Sequence, residues 1–175
     1  MLVFSLPLLF GLFLSLGPTA APPNLVQNPS FELDADGDRL PDGWFPQFLT
    51  GRDRLVPDAY YGRRGFLIVG NPAGPKHLIQ NLGRFPAGTA FTVSGWSKAD
   101  SPSPAGGKYA VGLHAYYLDG SHGYILAYFS PTTHDWEFAS ASGVLAQDAE
   151  KVVVGTLYQR QTGWAIFDGV AVTSP

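Results

Sequence analysis

Phe91-Thr92-Val93-Ser94-Gly95-Trp96-Ser97-Lys98 decides the fold. Phe91, Val93 and Gly95 alternate with Thr92, Ser94 and Trp96, and a period of two marks a strand with one face in a core and the other outside it. Outward from this run the chain offers more of the same: short β-rich stretches between turn signals, and past Pro23 no apolar set recurring at helical spacing. Strands are expected over residues 24–26, 44–49, 66–70, 77–81, 91–98, 109–118, 123–129, 135–139, 151–158 and 164–172. Asp119-Gly120, between two aromatic-rich runs, signals a hairpin. So many short strands suit an all-β, two-sheet β-sandwich of jelly-roll type, with alternate side chains sent to the core.

Composition agrees. Of 175 residues 21 are Gly and 15 Pro, often in turn-forming groups such as Pro41-Asp42-Gly43 and Pro72-Ala73-Gly74. Hydrophobic residues make up 45% and charged residues 14%, against a usual charged share of roughly 25%, which argues against disorder and coiled coil. With no cysteine there is no disulfide, thiolate metal site or cysteine nucleophile. A net charge of −3 gives no basic footprint for nucleic acid.

Residues 2–16 are almost wholly apolar, and no charged side chain precedes Glu32. That stretch is shorter than the roughly 20 residues a spanning helix needs. Followed by Gly17-Pro18-Thr19-Ala20-Ala21, it reads as a secretory signal peptide over residues 1–21. Residues 22–175 then form one domain, secreted or held at the cell surface, with no membrane span in the mature chain. Residues 101–107, rich in Pro, Ser and Gly, read as a loop.

Five carboxylates crowd residues 32–42: Glu32, Asp34, Asp36, Asp38 and Asp42. Hard cations gather oxygens in this way. The spacing of Asp34, Asp36 and Asp38 is that of an EF-type loop's start, yet its Gly comes too early and no closing Glu follows. A solvated acidic turn and an ion site both fit the pattern.

Taken in order, several stretches resemble one family. Asn24-Leu25-Val26-Gln27-Asn28-Pro29-Ser30-Phe31-Glu32 and Leu40-Pro41-Asp42-Gly43-Trp44 are similar to the opening of the carbohydrate-binding-module superfamily of families four, nine, sixteen and twenty-two. Tyr61-Gly62-Arg63-Arg64-Gly65, the run from Pro86 to Ala99, Thr133-His134-Asp135-Trp136-Glu137 and the closing Gly163-Trp164-Ala165-Ile166-Phe167-Asp168-Gly169-Val170 continue the likeness. The resemblance implies a galactose-binding-like β-jelly-roll with a structural Ca²⁺ and, in many members, a sugar groove on the concave sheet. Carried over by position, the ion's ligands are the Glu32 and Asp168 side chains and the backbone of Arg63 to Gly65. Gly169 stands where the family's closing motif has a second Asp.

Sugars are read by aromatic faces with polar neighbours. Alternation assigns Tyr109, Val111, Leu113, Ala115 and Tyr117 to a core face, and Ala110, Gly112, His114, Tyr116 and Leu118 to the opposite one. His114 and Tyr116 are therefore candidates to line a groove. Trp96, on the polar side of its strand, is a candidate stacking platform. Trp44 and Trp136 fall in the landmark motifs and read as structural; Trp164 stays open. In 151–158 the alternation is ambiguous: either Tyr158 with Thr156 or Gln159 with Leu157 faces the groove, and Tyr158 joins Trp96, His114 and Tyr116 as the expected ligand-binding set.

No pair of carboxylates outside the acidic loop has the placement glycoside hydrolysis needs. His77, His114, His122 and His134 lack metal-ligand spacing, and no Gly-x-Ser-x-Gly elbow occurs. The expected function is thus non-catalytic binding of a polysaccharide or oligosaccharide. A surface or protein-interaction domain that keeps the sandwich without sugar binding is the alternative, and a glycan-active hydrolase the second.

Overall fold

The computed structural model describes residues 21–103 and 107–175. Ten strands run through them: β1 (Phe45–Gln47), β2 (Arg54–Val56), β3 (Gly65–Val69), β4 (His77–Phe85), β5 (Ala90–Asp100), β6 (Lys108–Tyr117), β7 (His122–Tyr128), β8 (His134–Val144), β9 (Ala149–Gln159) and β10 (Trp164–Thr173). The first sheet is ordered β1-β4-β9-β6-β7 and the second β2-β3-β10-β5-β8, with every pairing antiparallel. Among the described residues no helix is long and apolar enough to cross a membrane. The expected leader falls almost wholly outside them, as does the middle of the 101–107 loop.

Alternation builds the core as read from the sequence. Phe91, Val93 and Ala99 of β5 face inward, and on β6 Tyr109, Val111, Leu113, Ala115 and Tyr117 do the same, none of them more than 8% exposed. Phe31 packs on Trp44 with ring centroids 5.1 Å apart, and the Trp44 indole N–H donates to Asn28 O at 3.1 Å, so this tryptophan is part of the core. Residues 24–26 form no strand. Leu25 N–H donates to Val172 O, while Asn24 Oδ1 accepts from Val172 N–H and Asn24 Nδ2 donates to Val170 O, lacing the segment to β10 by one backbone bond and one residue's side chain in place of a ladder. Of the expected strand at 44–49 only β1 is regular, and β2, three residues between Asp53 and Pro57, has too little sequence to announce itself.

Tyr158 corrects the sequence reading. Val152, Val154, Thr156 and Tyr158 are all fully buried, so β9 turns this set into the core and leaves Val153, Gly155, Leu157 and Gln159 on the outside. The Tyr158 ring meets that of Tyr109 edge-on at 5.3 Å, and its hydroxyl donates to Thr162 O at 2.7 Å. Tyr158 is a core residue with a satisfied hydroxyl and lines no groove.

Candidate functional site

The outer face of the first sheet is set by the β6–β7 hairpin. Gly120, at φ +82°, closes the turn by donating to Tyr117 O at 3.0 Å, a left-handed backbone that glycine adopts without strain. The resulting register places Tyr116 opposite His122, His114 opposite Tyr124 and Gly112 opposite Leu126. On the other side of β6 stands β9, with Lys151 opposite Tyr116, Val153 opposite His114 and Gly155 opposite Gly112. β4 follows, with Ile79 opposite Gly155 and His77 opposite Leu157.

Two glycines side by side at the middle of the two central strands leave no Cβ there. Leu126 and Ile79 lean into the space, since a Cβ on Gly112 would collide with Leu126 Cδ2 and one on Gly155 would come 3.0 Å from Ile79 Cγ2. The outcome is an apolar-floored trough of ≈ 190 Å³. His114, Tyr116 and Tyr124 wall one side, and His77, Gln159 and Lys108 bound the other.

The three aromatic rings form one face-to-face stack. The His114 ring stacks on Tyr116 at 4.0 Å and on Tyr124 at 4.4 Å, with interplanar angles of 27° and 24°. Lys151 Nζ lies 4.2 Å from the Tyr116 ring centre and Lys108 Nζ 5.2 Å from that of Tyr124, both within cation–π range. His114 Nε2 and His122 Nδ1 share a proton at 2.7 Å, which requires one of the two rings to be neutral. Burial first, then the charges of His122, Lys151, Lys108 and His77, push the His114 pKa down to about 4. His77 is lowered by burial and by Lys108, and its Nε2 accepts from Gln159 Nε2 at 2.7 Å.

Of the four expected ligand-binding residues, the structure brings His114 and Tyr116 together and separates the other two. Tyr158 is in the core. Trp96 faces outward as its alternation implied, but from β5 in the second sheet, on the opposite surface of the molecule. There its ring is already covered by Tyr60, stacked at 3.5 Å and 12°. Residues missing from the sequence reading of the site are Tyr124, Lys108, Lys151 and the Gly112–Gly155 floor; hairpin pairing from Asp119-Gly120 was the signal that would have set Tyr124 beside His114.

Glu32, Arg63 and Asp168 also converge, around the 60–64 segment. Glu32 Oε1 accepts from the Arg63 and Arg64 N–H groups at 2.7 and 2.8 Å. Asp168 Oδ2 accepts from Tyr60 and Tyr61 N–H, both at 2.7 Å, and Oδ1 from Gly169 N–H at 2.6 Å. A Cβ on Gly62 would collide with Glu32 Oε1, so only glycine lets the segment close over the carboxylate. Asp168 is fully buried. Burial above all, helped by the charge of Glu32, raises its pKa to about 6 against the pull of its three N–H donors. Two carboxylates near enough for the charge of one to bear on the other, one of them buried, suit a hard cation in charge. The backbone is less obliging: Arg63 presents its N–H group to Glu32, and Gly65 enters β3 opposite Val56. Gly169 has a local reason, since at φ +57° a Cβ there would lie 2.9 Å from Tyr61 Cδ2 and 3.2 Å from Trp96 Cδ1.

In the acidic loop, oxygens of Asp34, Asp36 and Asp38 lie within 4.8 Å of one another. Asp38 N–H donates to Asp36 Oδ1 and Leu40 N–H to Asp38 Oδ1, Asx turns that shape the loop by themselves. Asp34 Oδ2 pairs with Arg64 Nη1 at 3.4 Å, and Asp42 accepts from Ala35 N–H.

No protein-family model matches the chain, and no curated protein is similar to it in sequence. Solved structures are similar in fold. The CBM22-1 xylan-binding domain of Paenibacillus barcinonensis Xyn10C superposes with a TM-score of 0.65 at 14% identity, over 90% of this chain and 97% of that one. TmCBM61, solved in complex with β-1,4-galactotriose, does so with a TM-score of 0.57 at 15% identity, over 87% and 99%. The enzymatically active domain of bacteriophage CBA120 tailspike protein 4 gives a TM-score of 0.63 at 14% identity, over 87% of this chain and 21% of that one. The chain therefore has a two-sheet β-jelly-roll fold similar to that of these solved structures, the fold its motifs implied.

Proposed function

We propose that the chain is a secreted, non-catalytic module that holds a polysaccharide or oligosaccharide in the trough of the first sheet. The observation that carries this reading is the Tyr116–His114–Tyr124 ring stack beside an apolar-floored trough edged by polar groups, the combination of aromatic surface and space that can receive a sugar ring. Polar groups of Gln159, His77 and His122 are within the same face to bond hydroxyls. None of the residues lining the trough is a carboxylate, whereas glycoside hydrolysis calls for two flanking one bond. The solved modules of the same fold, one described as xylan-binding and one bound to galactotriose, favour the same reading.

The test is retention on immobilised or gel-embedded polysaccharides. Binding is expected for at least one, and Tyr116→Ala is expected to weaken it by about 2 kcal/mol, roughly 30-fold, as for a central aromatic anchor. Its melting temperature should stay near wild type, because Tyr116 stands outside the core. No retention by folded protein on neutral or acidic polysaccharides alike would sink the proposal.

Two further parts belong to it. Ca²⁺ held by Glu32 and Asp168 would neutralise their mutual repulsion and pin the 60–64 segment to β10. Export follows from the apolar leader: material recovered outside the cell should begin near Pro22, and an intracellular product beginning at Met1 would count against it.

A further inference from the structure

The trough is bordered by positive charge out of proportion to the chain. Lys108 and Lys151 reach back over the two tyrosines of the wall. Beyond them, Arg160 stands at the His77 end and Arg84 at the Tyr116 end. These are four of the chain's 11 Lys and Arg residues, in a protein whose net charge is −3. Against them stand two of its 14 Asp and Glu residues at the Arg84 end, Glu150 beside Lys151 and, farther out, Asp148 in the cleft it shares with Arg84 and Glu150. Neither Lys108 nor Lys151 has an ion-pair partner among the described residues, and residues 104–106 carry no charged side chain.

We infer that the polysaccharide held in this trough is an acidic one, bearing carboxylate or sulfate groups, with Lys108 and Lys151 taking the anions while the Tyr116–His114–Tyr124 stack lines the path of the sugar rings. The inference rests on the carbohydrate reading of the same trough and adds the charge of the ligand to it. A neutral glycan can take only hydrogen bonds from the two ammonium groups, and it must displace part of their hydration without offsetting their charge. An anionic one supplies the missing counter-charge to both, Lys108 half-buried and Lys151 exposed, so the attraction is sensitive to salt. Burial is the first cause of the depressed basicity of His114, and the ionisable groups that add to it, His122 from β7, Lys151 from β9, Lys108 from its own strand and His77 from β4, are all basic.

Affinity electrophoresis of the full chain separates the possibilities, run with polygalacturonate and alginate for carboxylate, dextran sulfate for sulfate, xylan and galactan as neutral glycans, and poly-glutamate as a polyanion without sugar. The expected result is retardation by a carboxylated or sulfated glycan at least tenfold stronger than by either neutral one. It should weaken severalfold as sodium chloride is raised from about 0.05 to about 0.5 M, where the Debye length shrinks well below 10 Å. Lys108→Gln/Lys151→Gln should lose about tenfold or more on the acidic glycan with its melting temperature unchanged, and Tyr116→Ala should lose comparably. Strong, salt-insensitive retardation by xylan or galactan that the lysine substitutions leave intact would overturn the acidic ligand and keep the sugar trough. Equal retardation by poly-glutamate, indifferent to Tyr116→Ala, would overturn it as bare charge attraction. Retardation by none of the six would remove both readings together.

Discussion

Asp53→Ala is expected to lower stability by about 3–5 kcal/mol, the usual cost of leaving one member of a buried ion pair alone. Asp53 and Lys76 are each 4% exposed. Lys76 Nζ donates to both Asp53 oxygens, at 3.0 and 2.7 Å. The same carboxylate accepts Val69 N–H at 2.8 Å, Thr50 N–H at 2.6 Å and the Thr50 hydroxyl at 2.9 Å. Lys76 leads into β4 of the first sheet, while Asp53 leads into β2 of the second and holds β3 through Val69, so the carboxylate ties the two sheets at one end of the sandwich. Without it Lys76 keeps only Thr50 Oγ1, at 3.4 Å. For a domain of this size the loss corresponds to a melting temperature lower by about 10 °C. Asp53→Asn/Lys76→Met, which removes the charges and keeps one acceptor oxygen, should recover most of it. A melting temperature for Asp53→Ala within about 2 °C of wild type would mean that the knot adds nothing; a double variant no better than the single one would put its value in the backbone anchoring and not in the charge pair.

How much of this was legible in the sequence depended on what each residue's neighbours allowed. β5 and β6 were readable because their apolar and polar positions alternate without ambiguity. β9 was not, because Val152, Val153 and Val154 are apolar in both frames, and only pairing with β6 decides that Tyr158 goes inward. For Trp96 the period of two gave the right answer to the question it can answer, which side of its strand faces out. It says nothing of which sheet the strand joins, and the chain changes sheets between β5 and β6. Tyr124 stood in an aromatic-rich run, but its place beside His114 is a property of hairpin register. Lys108 and Lys151 became site residues only through three-dimensional proximity, since neither belongs to a motif. Glu32 and Asp168 lie far apart in the chain, and it was the resemblance that paired them. The same resemblance gave the jelly-roll that the sheets then displayed.

The second large effect is a pH dependence of stability that calcium should reverse. Asp168 titrates near 3.8 in an unfolded chain and near 6 in the fold, so between those values the folded chain holds the extra proton. Its stabilisation is complete below the unfolded value and is lost as pH rises through the folded one, a change of about 3 kcal/mol at 1.36 kcal/mol per unit. His114 runs the opposite way: with its pKa moved from 6.5 to about 4, the unfolded chain takes the proton, and stability is lost as pH falls through that interval. His77, lowered too, adds in the same sense. In chelator the wild-type melting temperature should therefore change little between about pH 4 and 6.5, the slopes opposing each other. His77→Gln/His114→Gln, which removes the opposing slope, should melt at progressively lower temperature as the pH is raised through that window. Saturating Ca²⁺ needs an ionised Asp168, so its stabilisation, about 2.7 kcal/mol at a hundredfold excess over its dissociation constant, should grow with pH and cancel the fall. A flat profile for the double variant in chelator would mean that Asp168 ionises in the fold as it does in water. If calcium left the melting temperature at pH 7 unmoved, or moved it equally in Glu32→Ala, the two carboxylates would hold the 60–64 segment through its N–H groups alone, with no ion between them.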